Sequence, residues 1–296
     1  MKHFLNQTFW LKQLPSRNKP PCWTLSEPEF SDAFLCGKLV FTTFRWPEEF
    51  RWIDQHILRL QQNAHAMNIP FTWSTLTLLE ALGDCVPALS NPDAQECVIR
   101  ISVIPEERCC TNHLSDPFQD LPPSPNDTLD ALPASRLYVS FRDCPTPITS
   151  SQRITLKTIG YQKAFPLVKS AGSLIEAFAL RRRVQIEGYN DALWVNAAGH
   201  ITESTTANFF GIRDNALTTP TPETDGCLPG IARLKILEKA AQKEIPVHHE
   251  PLTPAELNTL DGAFLTNSVT IQPIQTIDDC PLSWSDEATA LFNQLI

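Results

Sequence analysis

Apolar residues recur along the chain in two spacings, and together these predict a first half of mixed helices and strands. They recur every three or four positions over residues 50–67 and 73–86, as in a helix whose face packs on a core. Alternation or short apolar runs over residues 38–46, 97–105 and 136–143 are typical of strands. The first half is therefore predicted to form a small α+β domain.

Proline-rich stretches mark the predicted loops and the boundary between domains. Proline fixes φ and has no backbone N–H, so residues 116–135 are predicted to be an exposed loop between two strands. A second turn-rich stretch predicts an interdomain joint at 146–152. The joint separates a small domain, 1–145, from a larger domain, 153–296.

Strands and helices also make up the predicted second half. Helices are predicted at 173–188 and 228–244. Strands are predicted at 153–162, 191–204, 208–220, 247–253, 262–268 and 271–278. Turn residues in "AAG" and "DNA" interrupt two of these segments, which indicates hairpins. The fold class predicted for the whole chain is α/β.

Charge and cysteine content exclude several classes of function. The formal net charge is -9, so there is no basic field to attract nucleic acid or an anionic membrane. No apolar stretch is long enough to span a membrane, and the first twenty residues do not resemble a signal peptide. The nine cysteines show neither a disulfide framework nor zinc-site spacing. We therefore expect a cytoplasmic protein with reduced thiols and no metal.

Four motifs, in this order, carry a resemblance to a known family. They are "HILRLQQNA" (56–64), "GHITESTTANFFGI" (199–212), "CLPGIARLKIL" (227–237) and "FLTNSVTIQPI" (264–274). Together they resemble the class IV family of pyridoxal-phosphate enzymes, which contains branched-chain aminotransferases, D-amino-acid aminotransferases and aminodeoxychorismate lyases. The resemblance implies fold type IV, the cofactor pyridoxal 5'-phosphate, a small-molecule amine as substrate and a homodimer.

Three lysines compete for the role of the family's cofactor-binding lysine. In the family this lysine precedes the glutamate of the "G-x-ITE" strand by a little over thirty residues. Lys169 precedes Glu203 by 34 residues, whereas Lys163 and Lys157 precede it by 40 and 46. Lys157 also lies in an alternating, strand-like stretch, although "KTIGY" is superficially similar to the family's lysine motif. The resemblance therefore implies that Lys169 forms the Schiff base with the cofactor and moves the substrate proton.

Further roles follow from the resemblance residue by residue. Glu203 would bind the protonated pyridine nitrogen, and Leu228 would pack on one face of the ring. The phosphate would be bound by Arg59, by the backbone N–H groups of Ile231 and Ala232, and by Ser268. The family commonly has threonine where this chain has Ala232 and Ser268. Asn208 matches a family asparagine and is interpreted as structural.

Some positions depart from the family pattern. After its lysine the family commonly has asparagine and then tyrosine, whereas the run here is Ser170 to Leu174 without a tyrosine, and Ser173 is the hydroxyl that could replace it. The strand of a branched-chain enzyme reads "F-E-G-I-R", whereas this chain has "FTTFR" at 41–45. Together with "LTNS", this stretch is similar to aminodeoxychorismate lyases, but two threonines also suit any strand.

The reaction and the substrate residues stay open at this level. We expect a lyase that releases pyruvate and 4-aminobenzoate from 4-amino-4-deoxychorismate, a folate precursor step. The alternatives are an aminotransferase of branched-chain or D-amino acids and a protein that binds the cofactor without turnover. Candidate substrate residues are Thr42, Thr43, Arg45 and Arg100. Either arginine could face a substrate carboxylate or lie on the surface, and Arg100 is preferred because its strand is otherwise apolar.

Overall fold

A computed structural model of the protein describes residues 8–12, 22–24, 37–71, 73–85, 96–105, 135–144 and 153–296. The predicted joint at 146–152 lies outside these residues, as does the predicted loop at 116–135 except for Ser135. The described residues form two separate β-sheets, one on each side of the predicted joint.

The first sheet has five strands in the order β2–β1–β5–β4–β3, and all neighbours are antiparallel. These strands are β1 (Thr8–Lys12), β2 (Cys22–Thr24), β3 (Val40–Trp46), β4 (Cys97–Pro105) and β5 (Ser135–Asp143). β4 has the predicted bounds, and β3 and β5 differ from the prediction by one or two residues. The sequence pattern does not predict β1 and β2.

Two helices cover one face of this sheet. They are α1 (Ile53–Ala66), which follows a 3-10 turn at Phe50–Trp52, and α2 (Thr75–Cys85). Val40 and Phe44 of β3 are fully buried in one cluster with Ile57 and Leu60 of α1. Because successive strand residues point to opposite faces, Phe41 lies on the other face of the sheet. That other face adjoins the candidate site.

The second sheet has nine strands, six of which close into a barrel. Its strands are β6 (Ile154–Gly160), β7 (Asp191–Val195), β8 (Ile201–Ser204), β9 (Asn208–Arg213), β10 (Ala216–Thr218), β11 (Val247–His248), β12 (Gly262–Thr266), β13 (Ile271–Ile277) and β14 (Cys280–Pro281). The closed ring runs β9–β12–β13–β6–β7–β8 and back to β9. β8 and β9 pair at Glu203 and Asn208, so the barrel closes at the predicted cofactor-binding glutamate.

Both interrupted segments form antiparallel hairpins as predicted, β7 with β8 and β9 with β10. The strand predicted at 247–253 is wrong beyond His248, where Pro251 cannot donate to a strand ladder.

Four helices lie in the second half. They are α3 (Gly172–Ile186), α4 (Pro222–Asp225), α5 (Ile231–Gln242) and α6 (Asp286–Leu295), and a 3-10 helix covers Pro254–Thr259. α6 is not predicted from the sequence. It contributes Phe292 to the barrel core, 5.2 Å from Phe264, which in turn stacks on Phe210 at 5.1 Å. This aromatic core holds the strands that carry the site.

Within the described ranges, the helices are too short or too polar to cross a membrane. The same residues contain no cluster of three or more histidine, cysteine or acidic side chains suited to a metal ion. Four of the cysteines in these ranges, Cys97, Cys144, Cys227 and Cys280, have free thiols.

Candidate active site

Lys169 lies between the two sheets, just before α3. The backbone of its segment is tied to the residues around the start of β3: Phe41 N–H donates to the Lys169 carbonyl at 3.1 Å, and Ala171 N–H donates to the Leu39 carbonyl at 3.0 Å. Its Nζ atom is 4.9 Å from the centre of the Phe41 ring. The segment therefore presents the amine to the face of the first sheet that α1 and α2 leave open.

Positive charges and burial act together on this amine. The residue as a whole is half-buried, but its amine is withdrawn from bulk water. Burial, and then the charges of Arg59, Lys163 and Arg100 against the opposing charge of Glu203, lower the pKa of Lys169 to about 7. A large fraction of this amine is therefore neutral near pH 7, as a nucleophile or a general base requires.

Glu203 lies at the barrel closure and is 4% exposed. Its Oε1 accepts a hydrogen bond from Lys163 Nζ at 2.8 Å, and its Oε2 accepts one from the Leu228 backbone N–H at 3.1 Å. Both oxygens therefore have partners that fix the direction of the carboxylate. A buried carboxylate held in this way is a ready acceptor for a protonated ring nitrogen.

The three candidate lysines are thus separated by the structure. Lys157 is on β6, where it lies 3.4 Å from Asp278 and is about a third exposed. Lys163 and Lys169 both reach the site, but the Lys163 ammonium is paired with Glu203, whereas burial lowers the pKa of Lys169. The motif spacing that selects Lys169 is compatible with this geometry.

Arg59 of α1 belongs to a buried chain of polar groups. Its Nη2 donates to Thr42 Oγ1 at 2.9 Å, and Thr42 Oγ1 lies 2.7 Å from His56 Nδ1. A guanidinium can only donate, so Thr42 Oγ1 accepts from Arg59, whereas the direction of its hydrogen bond with His56 Nδ1 depends on the tautomer of the histidine. Burial lowers the pKa of His56 to about 4, so the ring is neutral near pH 7.

The same chain extends to the second half of the molecule. His56 Nε2 lies 3.8 Å from Glu49 Oε2, and Glu49 is hydrogen-bonded to Lys235 of α5. Burial opposes ionisation of Glu49, but its contacts with His56 and Lys235 lower its pKa. The hydrogen-bonded chain from Arg59 through Thr42 thus ends at His56, next to an ion pair that joins the two halves of the molecule.

The start of α5 provides a tight backbone turn. A Cβ atom on Gly230 would come within 2.0 Å of Asn208 Oδ1, so only glycine fits there. Asn208 Nδ2 donates to the Leu228 carbonyl at 2.8 Å, and the Leu228 N–H is bound to Glu203. Asn208 therefore fastens the turn to β9, and the structural interpretation of this residue agrees with its contacts.

A cleft of about 510 Å³ extends along α5 from Ala232 to Gln242, and Arg59, Lys169 and Glu203 do not line it. Ala232, Thr266 and Ser268 line it, together with the ion pair of Glu49 and Lys235. The backbone N–H groups of the first turn of α5 and the helix dipole favour an anion. Two buried polar atoms, Thr266 Oγ1 and Arg59 Nε, have no hydrogen-bond partner within the described part of the protein.

These features fit the predicted cofactor. The unpaired Thr266 hydroxyl and Arg59 Nε–H, with the amides of Ile231 and Ala232, suit phosphate oxygens. The amine of Lys169 suits the aldehyde, and the carboxylate of Glu203 suits the ring nitrogen. Three chemically distinct parts of pyridoxal phosphate thus find suitable groups among the described residues.

Comparison with known proteins agrees with this geometry. The sequence model of the family described as amino-transferase class IV matches residues 39–277. The chain belongs to the class IV aminotransferase family. Class IV aminotransferases use pyridoxal phosphate, so the predicted family, the predicted type IV α/β fold and the predicted cofactor are confirmed, and the chain is a pyridoxal-phosphate-dependent enzyme.

Individual class IV relatives differ in coverage. A Rickettsia typhi protein provisionally named branched-chain-amino-acid aminotransferase is 32% identical over 159 residues, which are 52% of this chain and 54% of that protein. The chain thus aligns with about half the length of this relative. The solved branched-chain aminotransferase of Thermoproteus uzoniensis with norvaline is 20% identical, with a TM-score of 0.77 over 98% of this chain and 93% of that one.

A solved Legionella pneumophila protein provisionally named 4-amino-4-deoxychorismate lyase is 26% identical, with a TM-score of 0.70. The match between the two covers 91% of this chain and 96% of the Legionella chain.

The structure distributes the four candidate substrate residues unequally. The Arg100 guanidinium lies 3.7 Å from the centre of the Phe41 ring, on the face shared with Lys169, whose pKa it helps to lower. Arg45 instead lies 3.8 Å from both Glu48 and Glu96, outside this cluster. Of the two arginines, Arg100 is the one that lies beside Lys169.

The two threonines of β3 point to opposite faces of the sheet. Thr42 is fully buried and its hydroxyl is occupied by Arg59 and His56, so its expected substrate contact is replaced by a contact that orients Arg59. Thr43 pairs with Arg100 across β3 and β4, on the open face. Thr43 therefore remains a substrate candidate.

Ser173 does not replace the class IV tyrosine in this conformation. Its hydroxyl donates to the Ser170 carbonyl at 2.9 Å, in the first turn of α3. The adjacent Leu174 has no hydroxyl and packs against the buried cluster that contains Phe41. The expected hydroxyl contact to the cofactor is thus absent from this side of the described site.

Sequence reasoning missed three residues that the fold brings to the site. These residues are Lys163, His56 and Thr266. The spacing argument excludes Lys163, and the other two lie within the motifs quoted above without being assigned a role. A helix pattern could have marked His56 as buried, since it lies on the same face of α1 as Arg59. Nothing in the linear sequence indicates that Lys163 reaches Glu203.

Proposed function

We propose that this chain removes the proton beside the amine of a small carboxylate-bearing substrate bound to pyridoxal phosphate. The observation that carries the proposal is the amine of Lys169, which has a pKa of about 7 and lies among Arg59, Lys163 and Arg100. An ordinary lysine would be almost fully protonated at neutral pH and could neither attack an aldehyde nor accept a proton.

Each protein group has a separate task in this proposal. The cofactor, when bound, withdraws electrons from the carbon beside the substrate nitrogen. Lys169 holds the cofactor aldehyde and, once the substrate displaces it, takes the proton. Glu203 orients the ring through its nitrogen, and Leu228 covers one ring face. Arg100 is the partner for a substrate carboxylate because it lies on the same open face as Lys169.

Phosphate binding is assigned to one further group of residues. In this proposal the phosphate is bound by Arg59, by the backbone amides of Ile231 and Ala232, and by the hydroxyls of Ser268 and Thr266. Thr42 and His56 hold the Arg59 guanidinium in place, so this part of the phosphate site is formed before the cofactor binds.

For the reaction we favour the lyase, which splits 4-amino-4-deoxychorismate into pyruvate and 4-aminobenzoate. Support comes from the Legionella protein, which is similar over nearly the full length of both chains, and from the "LTNS" motif at 265–268. Loss of the substrate proton is followed by cleavage of the bond between the six-membered ring and the oxygen that leaves with pyruvate. Aromatisation of the six-membered ring drives that step, and no acceptor acid is needed.

An aminotransferase is the second candidate, because several relatives carry the name of branched-chain aminotransferase. It would return the proton to the cofactor and leave the amino group there until a keto acid arrives. The two reactions therefore differ in whether an acceptor is required.

The deciding experiment mixes purified protein and cofactor with 4-amino-4-deoxychorismate alone, and separately with L- and D-amino acids. We expect pyruvate and 4-aminobenzoate in equal amounts without any keto acid. Conversion of the cofactor to its amine form by an amino acid, reversed by 2-oxoglutarate, with no aminobenzoate formed, would establish the aminotransferase. Cofactor binding without product from any of these would leave a binding protein.

The proposed assembly is a homodimer. α3 exposes Ile175, Phe178 and Ile186, and the preceding segment exposes Phe165 and Leu167. Several large apolar side chains exposed on neighbouring segments are typical of an interface between proteins. Light scattering after gel filtration should give twice the chain mass, and Phe178→Glu should shift it toward the monomer. A cytoplasmic location stays a prediction.

A further inference from the structure

We infer that Lys163 is a positioning residue that acts on the cofactor ring through Glu203, limiting how firmly the ring nitrogen holds its proton. This inference rests on the proposed function, because it assigns the ring nitrogen to Glu203. It concerns a residue that the lysine spacing excluded from the site.

The first support is the contact itself. Lys163 Nζ lies 2.8 Å from Glu203 Oε1, and the two side chains are 9% and 5% exposed. Such a pair is shielded from water and salt, unlike a surface ion pair. The ammonium also lies 5.5 Å from the centre of the Trp194 ring, which is buried beneath it. Two partners thus hold the ammonium near the barrel closure.

The second support is that both carboxylate oxygens of Glu203 already accept a hydrogen bond. One oxygen faces Lys163 and the other accepts from the Leu228 N–H. A ring nitrogen that approaches this carboxylate must share it with a cation at 2.8 Å. Sharing weakens the attraction between the carboxylate and the ring proton.

The charged groups around the pair come from several elements. Arg59 of α1, Arg100 of β4 and Lys169 lie within electrostatic range on the cofactor side. Cys227, before α5, lies within range of both members of the pair, and burial raises its pKa to about 12, so it is neutral. Among these cations it is Lys163 whose ammonium is hydrogen-bonded to Glu203, at 2.8 Å, and so fixes the direction of the carboxylate.

This arrangement has a consequence for the chemistry. A ring nitrogen that loses its proton more readily withdraws fewer electrons from the substrate carbon. A reaction that is driven by formation of an aromatic product needs less electron withdrawal by the cofactor. A reaction without that driving force depends on the cofactor alone to stabilise the negative charge on the substrate carbon. The contact is therefore compatible with the lyase.

The test measures the ring nitrogen directly, in protein loaded with ¹⁵N-labelled pyridoxal phosphate. The nitrogen chemical shift is followed against pH in the wild type and in Lys163→Met, with Lys163→Gln as a second neutral variant. Lys163→Arg keeps the charge. Lys157→Met is the matched control, since it removes a lysine that pairs with Asp278 outside the site.

We expect the ring nitrogen of the wild type to lose its proton at a pH about one unit or more below that of Lys163→Met and Lys163→Gln. Lys163→Arg and Lys157→Met should resemble the wild type. In a Glu203→Gln background the Lys163→Met substitution should no longer move the midpoint, because the effect passes through the carboxylate.

Equal midpoints in the wild type and both neutral variants, with cofactor bound in all of them, would overturn this inference alone. A shift that persists unchanged in the Glu203→Gln background would also overturn it, because Lys163 would then act directly. Failure of the wild-type protein to bind the cofactor would overturn the proposed function, and this inference with it.

Discussion

The amine of Lys169 should capture pyridoxal phosphate with a pH midpoint near 7, because burial and neighbouring cations lower its pKa to about 7 from an ordinary 10.5. At pH 7 about half of such an amine is neutral, against roughly one part in three thousand for an ordinary lysine, so its neutral population is on the order of a thousandfold larger. This excess of neutral amine should make Lys169 the lysine that reacts with the cofactor aldehyde.

The assay exposes cofactor-free protein briefly to pyridoxal phosphate at a series of pH values, reduces it with borohydride and quantifies the labelled peptides by mass spectrometry. The Lys169 peptide should carry nearly all the label below pH 8. Arg59→Met removes the neighbouring charge that contributes most to the lowered pKa, so it should move the midpoint up by roughly one unit. Label on Lys157 or Lys163, or a midpoint above about 9, would refute the assignment of Lys169.

The same shift makes a prediction about stability. Because the folded-state pKa is below the unfolded one, folding is disfavoured by on the order of 5 kcal/mol below pH 7, and the penalty shrinks as the pH rises toward 10.5. Lys169→Met should therefore stabilise the cofactor-free protein more at pH 6 than at pH 9, as measured by urea midpoints. An equal gain at both pH values would contradict a buried, pKa-shifted amine.

Three further substitutions separate the other roles. Arg59→Ala should weaken cofactor binding by ~1.5–3 kcal/mol, tenfold or more, in an equilibrium titration, because it removes a charged and buried phosphate partner. Glu203→Gln should leave that affinity nearly intact and lower turnover at saturating cofactor; unchanged turnover would contradict its role at the ring. Gly230→Ala should weaken cofactor binding and lower the thermal midpoint, because its Cβ would meet Asn208 Oδ1 at 2.0 Å, whereas Gly160→Ala, with no atom within 4 Å, should change neither.

Much of the fold follows from local patterns along the chain. β4 has the predicted bounds because its nine residues form one uninterrupted, largely buried strand flanked by turn-forming or polar residues. α1 and α5 follow from apolar spacing and, for α5, from the Pro229–Gly230 start. β11 is shorter than predicted because it pairs with β10 at Val247 and His248, and Pro251 further on cannot donate to a strand ladder. A local sequence pattern does not determine which strands pair with each other.

For the site, the sequence by itself determined which residue types are present and in what order: the spacing of Lys169 and Glu203, the arginine of α1 and the glycine turn before α5. Only the tertiary structure decided which of these side chains meet. It turns Arg45 toward Glu48 and Glu96, assigns Thr42 to Arg59, and brings Lys163 to Glu203 across 40 residues of chain. The reason is physical: spacing along a strand or helix fixes the face on which a side chain lies, but closure of the barrel and docking of the two sheets fix what it faces.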